Sequence, residues 1–388
     1  MTSPDSAHRC YTVRAAHVPR WIAARAAAKP LADDTARVER RSRRIALRAP
    51  TSPELNERAG SAPRSLNFPV VLSGKHARAA LADASTWRVR AIFRRSVYCQ
   101  ATHGAVVCVG SLSLGAGPLN ILAPMPPEWS WQDFGLARDT QVEWHGGALR
   151  FDRRVAFSFA RARLWQPDAS VRDREAGVLS AGLDVLAAEC RRRAPIDGLA
   201  PTIHWILGKE LPDASVSGFD QALAEAAAPG IAALNTWLGS AVGGGNAHDS
   251  PPQPVEKLIG LGPGLTPSGD DFLGGVLIAL RAFGWPDVSD TMGRWLLRRA
   301  NTRTHAISYA HLRCAADGAG AAVLHDALAA LMSPGAPGLG ARLDAVAAMG
   351  HSSGWDALAG MALVANLAAT AESLGRSGRR MAPARCGQ

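Results

Sequence analysis

The chain has 388 residues, of which 47% are hydrophobic, enough for two domains with sizeable cores. No apolar run reaches the roughly 18 residues that a membrane-spanning helix needs. Arg9, Arg14 and Arg20 interrupt the region where a signal peptide would carry its apolar core. These observations argue against a membrane protein and predict a soluble, cytoplasmic one.

The net charge of +10 is concentrated at the start of the chain. Residues 1–66 contain 13 Lys and Arg against 6 Asp and Glu, whereas the remainder contains 30 against 27. We therefore expect a basic, disordered extension over 1–66 and no nucleic-acid binding by the folded part. Three alternatives stay open for the extension: contact with nucleic acid or an acidic partner, a position upstream of the native translation start, and an amphipathic, Arg-rich transit peptide, against which Asp33, Asp34 and Glu39 argue.

Residues 67–168 predict a β-rich domain. The predicted strands are short, rich in Val, Ile, Phe and Trp, and separated by Gly, Pro and Asp; they are Asn67–Leu72, Trp87–Phe93, Ser96–Gln100, Ala105–Gly110, Asn120–Leu122, Gln141–Trp144, Ala148–Phe151 and Arg154–Phe159. His145-Gly-Gly147 predicts a tight hairpin turn between two of them. Strands without long intervening helices favour an antiparallel, barrel-like sheet.

Residues 169–388 predict a mainly helical domain, so the fold class is α+β. The predicted helices have helical length and apolar spacing; they are Val178–Arg192, Ser217–Ala228, Ile231–Leu238, Asp271–Phe283, Val288–Asn301, Ala306–Ala316, Ala321–Met332, Arg342–Met349 and Trp355–Leu374.

A glycine-rich loop over 260–271 enters the fourth of these helices. Gly260, Gly262 and Gly264 permit positive φ and close approach by a ligand. Thr266-Pro267 predicts a helix start, and Ser268 with Asp271 fits a capping box. Gly274-Gly275 weakens the helix, so we expect a close neighbour to pack there.

Three interpretations of this loop stay open. Its N–H groups and the helix dipole could bind a phosphate or carboxylate, bridged by Mg²⁺ because Asp270 and Asp271 would repel a bare anion. Alternatively, one aspartate acts as a general base or binds an amide nitrogen of the substrate. In the third interpretation, both aspartates only cap a core helix.

Two further segments carry similar chemistry. In Thr302–Ser308, Thr304 is a candidate N-cap, Ser308 lies one turn on, and Arg303 is a candidate anion contact. In Gly350-His-Ser-Ser-Gly-Trp-Asp356, a helix start again combines glycine, hydroxyl and carboxylate, and His351 is a candidate acid or base. A polar pocket shared between these loops and the glycine-rich loop is the prediction.

The candidate residues fall into two groups. The catalytic candidates are Asp270, Asp271 and His351, of which the two aspartates would also hold Mg²⁺ if a metal binds. The substrate-binding candidates are Gly262, Gly264, Thr266, Ser268, Gly269, Arg303, Thr304, Ser308, Ser352, Ser353 and Asp356.

These motifs resemble a known family. Gly262-Pro-Gly-Leu-Thr-Pro-Ser-Gly-Asp-Asp-Phe-Leu273, Thr302–Ser308 and Gly350-His-Ser-Ser-Gly-Trp-Asp-Ala-Leu-Ala-Gly360, with Gly117-Pro-Leu-Asn120 in the β region, are similar to the AllH family. The resemblance extends over roughly residues 70–375. The basic extension departs from the usual start of the family.

The resemblance implies a subunit of oxamate carbamoyltransferase in anaerobic allantoin and purine breakdown. That enzyme converts oxalurate and phosphate into oxamate and carbamoyl phosphate, with AllG-like and FdrA- or AllF-like partner subunits. Two alternatives stay open: a non-catalytic scaffold subunit of such a complex, and a stand-alone Mg²⁺-dependent enzyme that binds small anions.

Overall fold

The structure is a computed structural model that describes residues 66–126, 128–152, 154–168, 177–209, 218–245 and 249–380. The predicted basic extension lies outside the described residues, apart from Leu66. Across the described ranges, no helix is both long and apolar enough to cross a membrane.

Ten strands form one curled, half-barrel sheet in the first part of the chain. They are β1 (Leu66–Pro69), β2 (Leu72–Gly74), β3 (Thr86–Ile92), β4 (Ser96–Ala101), β5 (Val106–Ser111), β6 (Asn120–Ala123), β7 (Gln141–His145), β8 (Ala148–Phe151), β9 (Val155–Ser158) and β10 (Arg163–Trp165). Their order in the sheet is β1-β9-β8-β7-β3-β4-β5-β6-β2-β10. The hairpin predicted at His145–Gly147 is confirmed, with both glycines at positive φ and His145 opposite Ala148.

The sheet is largely antiparallel, as predicted, but it is mixed because three of its strand pairs are parallel. The pairs β1–β9, β2–β10 and β5–β6 are parallel. Strand spacing alone did not reveal these pairs because they join segments that are distant in sequence or linked by a crossover. Between β1 and β2, Val70 N donates to Ser158 O and Val71 N to Leu122 O, so one chain segment joins the two ends of the sheet.

Ten α-helices complete the described fold. They are α1 (Lys75–Asp83), α2 (Val178–Arg193), α3 (Thr202–Ile206), α4 (Gly218–Val242), α5 (Ser268–Ala282), α6 (Pro286–Ala300), α7 (Ala306–Ala316), α8 (Ala322–Leu331), α9 (Leu339–Ala347) and α10 (Ser353–Arg380). The predicted α+β class is confirmed.

Four elements were missed and one helix was wrongly divided. The sequence pattern did not predict α1, α3 and β10, and it placed one strand, Asn67–Leu72, where the structure has both β1 and β2; each missed element is short. The two predicted helices Ser217–Ala228 and Ile231–Leu238 form one helix, α4, which continues through Pro229. Buried residues on both sides of the proline, including Leu223 and Ile231, keep the helix packed against the core.

Helix α5 lies at the centre of the helical core and is buried from Ser268 to Leu280 except at Asp271. It crosses α10 through glycines: a Cβ at Gly275 would overlap the carbonyl oxygen of Ala357, and one at Gly360 would overlap that of Phe272. The close neighbour predicted at Gly274-Gly275 is therefore confirmed. The contact fixes the N-termini of α5 and α10 beside each other.

A small apolar cluster joins the sheet to the helices. Val106 and Leu119 from the sheet region pack with Ile307, Ala310 and Cys314 of α7. The boundary between domains over 67–168 and 169–388 stays a prediction.

Candidate functional site

The glycine-rich loop enters α5 without a side-chain cap. The residue before the helix is Pro267, and Ser268 is its first residue, so the predicted capping box was wrong. Proline has no hydroxyl, and the Ser268 hydroxyl instead lies beside Asp356. The predicted positive φ is present at Gly260 (73°), Gly262 (109°) and Gly264 (90°).

Asp270 is a buried carboxylate held by three donors. Its Oδ1 accepts from the backbone N–H of Gly260 at 2.8 Å. Its Oδ2 accepts from the hydroxyl of Ser308 at 2.6 Å and from that of Thr304. Only 1% of Asp270 is exposed, so these contacts replace its hydration and tie the glycine-rich loop to α7.

Thr304 does not cap α7, contrary to the expectation. The N-cap of α7 is His305, whose side chain makes no capping hydrogen bond. The hydroxyl of Thr304 donates to Asp270 instead. Ser308 lies one turn further on and is 1% exposed. The side chains of Thr304 and Ser308 face the same group, as the sequence suggested, and that group is the carboxylate of Asp270.

Asp356, in the first turn of α10, is the second buried carboxylate. Its Oδ1 accepts from the backbone N–H of Leu199 at 2.6 Å, and its Oδ2 has no hydrogen-bond partner. Burial raises its pKa to about 6, although the Leu199 N–H and the nearby hydroxyls of Ser268 and Ser352 oppose the rise.

Asp271 is the third carboxylate, and it has an enclosed oxygen, Oδ2, without a hydrogen-bond partner. Burial raises the pKa of Asp271 well above its usual value, and the charges of Asp356 and Asp270 add to the rise. Hydroxyls of Ser353 and Thr266 lie near it and act in the opposite direction. A carboxyl in this setting keeps its proton to a higher pH than a solvent-exposed aspartate does.

The glycine-rich loop and the start of α10 meet directly. The hydroxyls of Thr266 and Ser353 lie 3.0 Å apart. Together with Asp270, which contacts Thr304 and Ser308, this contact brings the three predicted segments to one cluster.

The glycines of the loop have different roles. A Cβ at Gly269 would overlap the carbonyl oxygen of Leu258, and one at Gly262 would lie 3.0 Å from the amide nitrogen of Ser268. Both positions are therefore filled by the protein itself. Gly264 has nothing within 4 Å of its Cβ position, and Pro263 and Leu265 beside it are exposed. Only the tip of the loop offers space for another molecule.

The side chains of Arg303 and His351 face acids outside the carboxylate cluster. Arg303 forms an ion pair with Glu256 at 2.7 Å, and Arg299 pairs with the other oxygen of the same carboxylate at 2.6 Å. The His351 side chain is 85% exposed, and its nearest acid is Asp197 at 3.9 Å.

The cluster is poorly suited to hold a magnesium ion through Asp270, because both oxygens of that carboxylate accept from protein donors. Within the described ranges, no group of three or more His, Cys, Asp and Glu side chains is arranged to hold a metal ion.

Two contributors were missed by the sequence analysis. The turn before α3 supplies the Leu199 N–H, and Gly198, at φ 65°, lies against Asp356 where a side chain would collide. Asp197-Gly198 is a turn signal that could have indicated this loop. Tyr98 of β4 is the other: burial raises its pKa, and the charge of Asp271 contributes. No sequence signal linked Tyr98 to α5.

A known protein family matches the part of the chain that contains the carboxylate cluster. Residues 258–365 match the family described as oxamate carbamoyltransferase subunit AllH. The AllH resemblance is confirmed. The AllH match includes the glycine-rich loop, Thr302–Ser308 and Gly350–Gly360, but it does not extend to Gly117–Asn120. No solved structure matches the chain. The description of that family names a subunit of an enzyme, which suggests partner subunits for its members.

Proposed function

We propose that the chain is the AllH-like subunit of an oxamate carbamoyltransferase-type complex that converts oxalurate and phosphate into oxamate and carbamoyl phosphate. The observation that carries the proposal is that one family match covers all three motif segments, which also meet in space. AllG-like and FdrA- or AllF-like subunits are the proposed partners, the cytoplasm the proposed location, and purine breakdown the proposed pathway.

Asp271 is the proposed proton donor. In the forward reaction a phosphate oxygen attacks the ureido carbonyl carbon of oxalurate, and the bond from that carbon to the oxamate nitrogen breaks. The departing nitrogen needs a proton, which a neutral carboxyl can supply. The proton released by the attacking hydrogen phosphate then restores Asp271, so that atoms and charge balance.

A neutral Asp271 also lessens the repulsion that an anionic substrate would meet at the start of α5. Two ionised aspartates in the first turn of α5 would repel phosphate, but a protonated Asp271 leaves only Asp270, whose oxygens face protein donors. The positive end of the α5 helix dipole and the hydroxyls of Thr266 and Ser353 then favour an anion. The exposed loop tip at Gly264 is the proposed entrance, and it must move because Asp271 Oδ2 is enclosed.

The roles of the remaining candidates follow from their contacts. Asp270, Thr304 and Ser308 position the loop, and Asp356 with Ser268 and Ser352 positions the start of α10. Gly262 and Gly269 permit close packing. Substrate contact is proposed for Thr266, Ser353 and the loop tip.

The test uses the complex assembled from this chain and its partner subunits. Asp271→Asn keeps the shape of the side chain but removes the acid, and we expect carbamoyl phosphate formation to fall by about 100-fold or more while the complex still assembles. Asp356→Asn, a neighbouring isosteric change, is the matched control and should reduce activity much less.

The second candidate function is a non-catalytic scaffold subunit. The observation in its favour is that Asp270 and Asp356 both bind donors of the protein, as structural caps do. A scaffold would keep full activity in the Asp271→Asn complex, and its removal would abolish assembly. Co-purification with the partner subunits, measured beside activity, separates the two functions.

A further inference from the structure

A second concave site lies on the sheet, among residues outside the AllH match. Its volume is about 370 Å³, within the range of about 300–1,000 Å³ that small-molecule sites occupy. Arg78 of α1, the Gly146-Gly147 turn and the stretch Ser158–Ala160 line it together with Trp144. Neither the carboxylate cluster nor its three motif segments contribute a lining residue.

The pocket has aromatic walls. Trp144 and Phe159 meet edge to face, with ring centroids 4.9 Å apart. The guanidinium of Arg78 lies over the Phe159 ring, 5.2 Å from its centroid. This contact places the guanidinium beside the aromatic wall.

The positive charge in the pocket is not neutralised. None of the described residues offers Arg78 a carboxylate or a hydrogen-bond acceptor, and its Nη1 is enclosed without a partner. Because Arg78 lines the pocket, an incoming carboxylate can pair with the guanidinium nitrogens other than the enclosed Nη1. Among the described residues, no acidic side chain lines the pocket to repel such a group.

The remaining wall is small and accessible. Gly146 and Gly147 have nothing within 4 Å of their Cβ positions, so a flat molecule can lie against the turn. The half-buried hydroxyl of Ser158 makes no hydrogen bond to another described side chain and can donate to a second carboxylate oxygen.

From this combination we infer that the pocket binds a planar aromatic monocarboxylate, with its ring against Trp144 and Phe159 and its carboxylate on Arg78. The walls therefore select a ligand by its charge, by the size of its ring and by its flatness. The site is independent of carbamoyl transfer.

Benzoate and benzamide are suitable probes, because they share size and shape but differ in charge. In saturation-transfer NMR with the full chain, benzoate should bind and benzamide should not. Arg78→Gln should weaken benzoate binding by about tenfold or more, whereas Arg78→Lys should retain part of it.

Thermal melting checks that each variant folds. Trp144→Leu removes part of the aromatic wall and keeps Arg78, and it should also weaken benzoate binding. The inference is overturned if benzoate does not bind the wild-type chain, or if it binds the folded Arg78→Gln variant equally well. Equal binding of benzamide would also overturn it, because charge would then play no part.

Discussion

Asp270 offers the sharpest test of how the site is held together. Replacing it with asparagine keeps the size of the side chain and one acceptor oxygen, but removes the charge that three donors share. The expected result is a stably folded chain with a lower free energy of unfolding, rather than a selective loss of chemistry.

The magnitude follows from the contacts. A hydrogen bond to a charged group contributes about 1.5–3 kcal/mol, and a buried donor left unpaired costs a similar amount. Asparagine can still accept from Gly260, and the two hydroxyls can rotate to accept from its amide. We therefore expect Asp270→Asn to lower the free energy of unfolding by about 2–3 kcal/mol. Alanine would leave all three donors unpaired and cost about 4–6 kcal/mol.

The assay is urea unfolding of Asp270→Asn, Ser308→Ala and the double variant. Because the Ser308 hydroxyl acts through Asp270, its removal should cost at least about 1 kcal/mol less in the asparagine background. Ser333→Ala is the matched control, since that hydroxyl donates to Ala329 O at 2.7 Å and should be additive with Asp270→Asn. If Ser308→Ala and Asp270→Asn are also additive within about 0.5 kcal/mol, the shared hydrogen bond is refuted.

Three further changes test other parts of the structure. Gly275→Ala should lower the free energy of unfolding by about 1–3 kcal/mol, because its methyl group meets the Ala357 carbonyl. Gly274→Ala has room for the methyl group and should raise the free energy of unfolding or leave it unchanged. Chemical denaturation that gives the two variants equal stability would contradict this expectation. The pKa of Asp356 rises on folding from 3.8 to about 6, so its ionisation should cost about 3 kcal/mol of stability as the pH increases from about 4 to 7. Asp356→Asn should remove that part of the decline, and an unchanged pH profile of melting would argue against the raised pKa. Arg303→Gln breaks a half-exposed ion pair and should lower the free energy of unfolding by no more than about 1 kcal/mol. Carbamoyl transfer should be retained, and a large loss of activity would indicate that Arg303 acts in the site.

Local patterns predicted most of the secondary structure but less of the topology. The eight predicted strands and most helices correspond to observed elements because their apolar periodicity reflects burial. The parallel pairs of β1 with β9 and of β2 with β10 depend on contacts between distant segments, which no local pattern encodes. Helix α4 was predicted as two helices for a similar reason, since packing on both sides of Pro229 outweighs the helix-breaking tendency of one residue.

The site could be predicted only in outline. Residue types at helix starts identified the three segments that meet, but not which donor each carboxylate uses. Thr304 and Ser268 were interpreted as caps because a local hydroxyl usually serves the nearest helix, yet both lie beside carboxylates of other segments. The difference between Asp270, with three donors, and Asp271, with an unpaired oxygen, is a property of packing and cannot be read from two adjacent identical residues.

Carbamoyl phosphate formation by the assembled complex containing Asp271→Asn is the most direct measurement of the proposed chemistry. If Asp271 protonates the departing nitrogen, the variant complex should assemble with normal stoichiometry and lose about 100-fold or more of its activity. An intact Asp271→Asn complex with wild-type activity would contradict the role of Asp271 and favour the scaffold function.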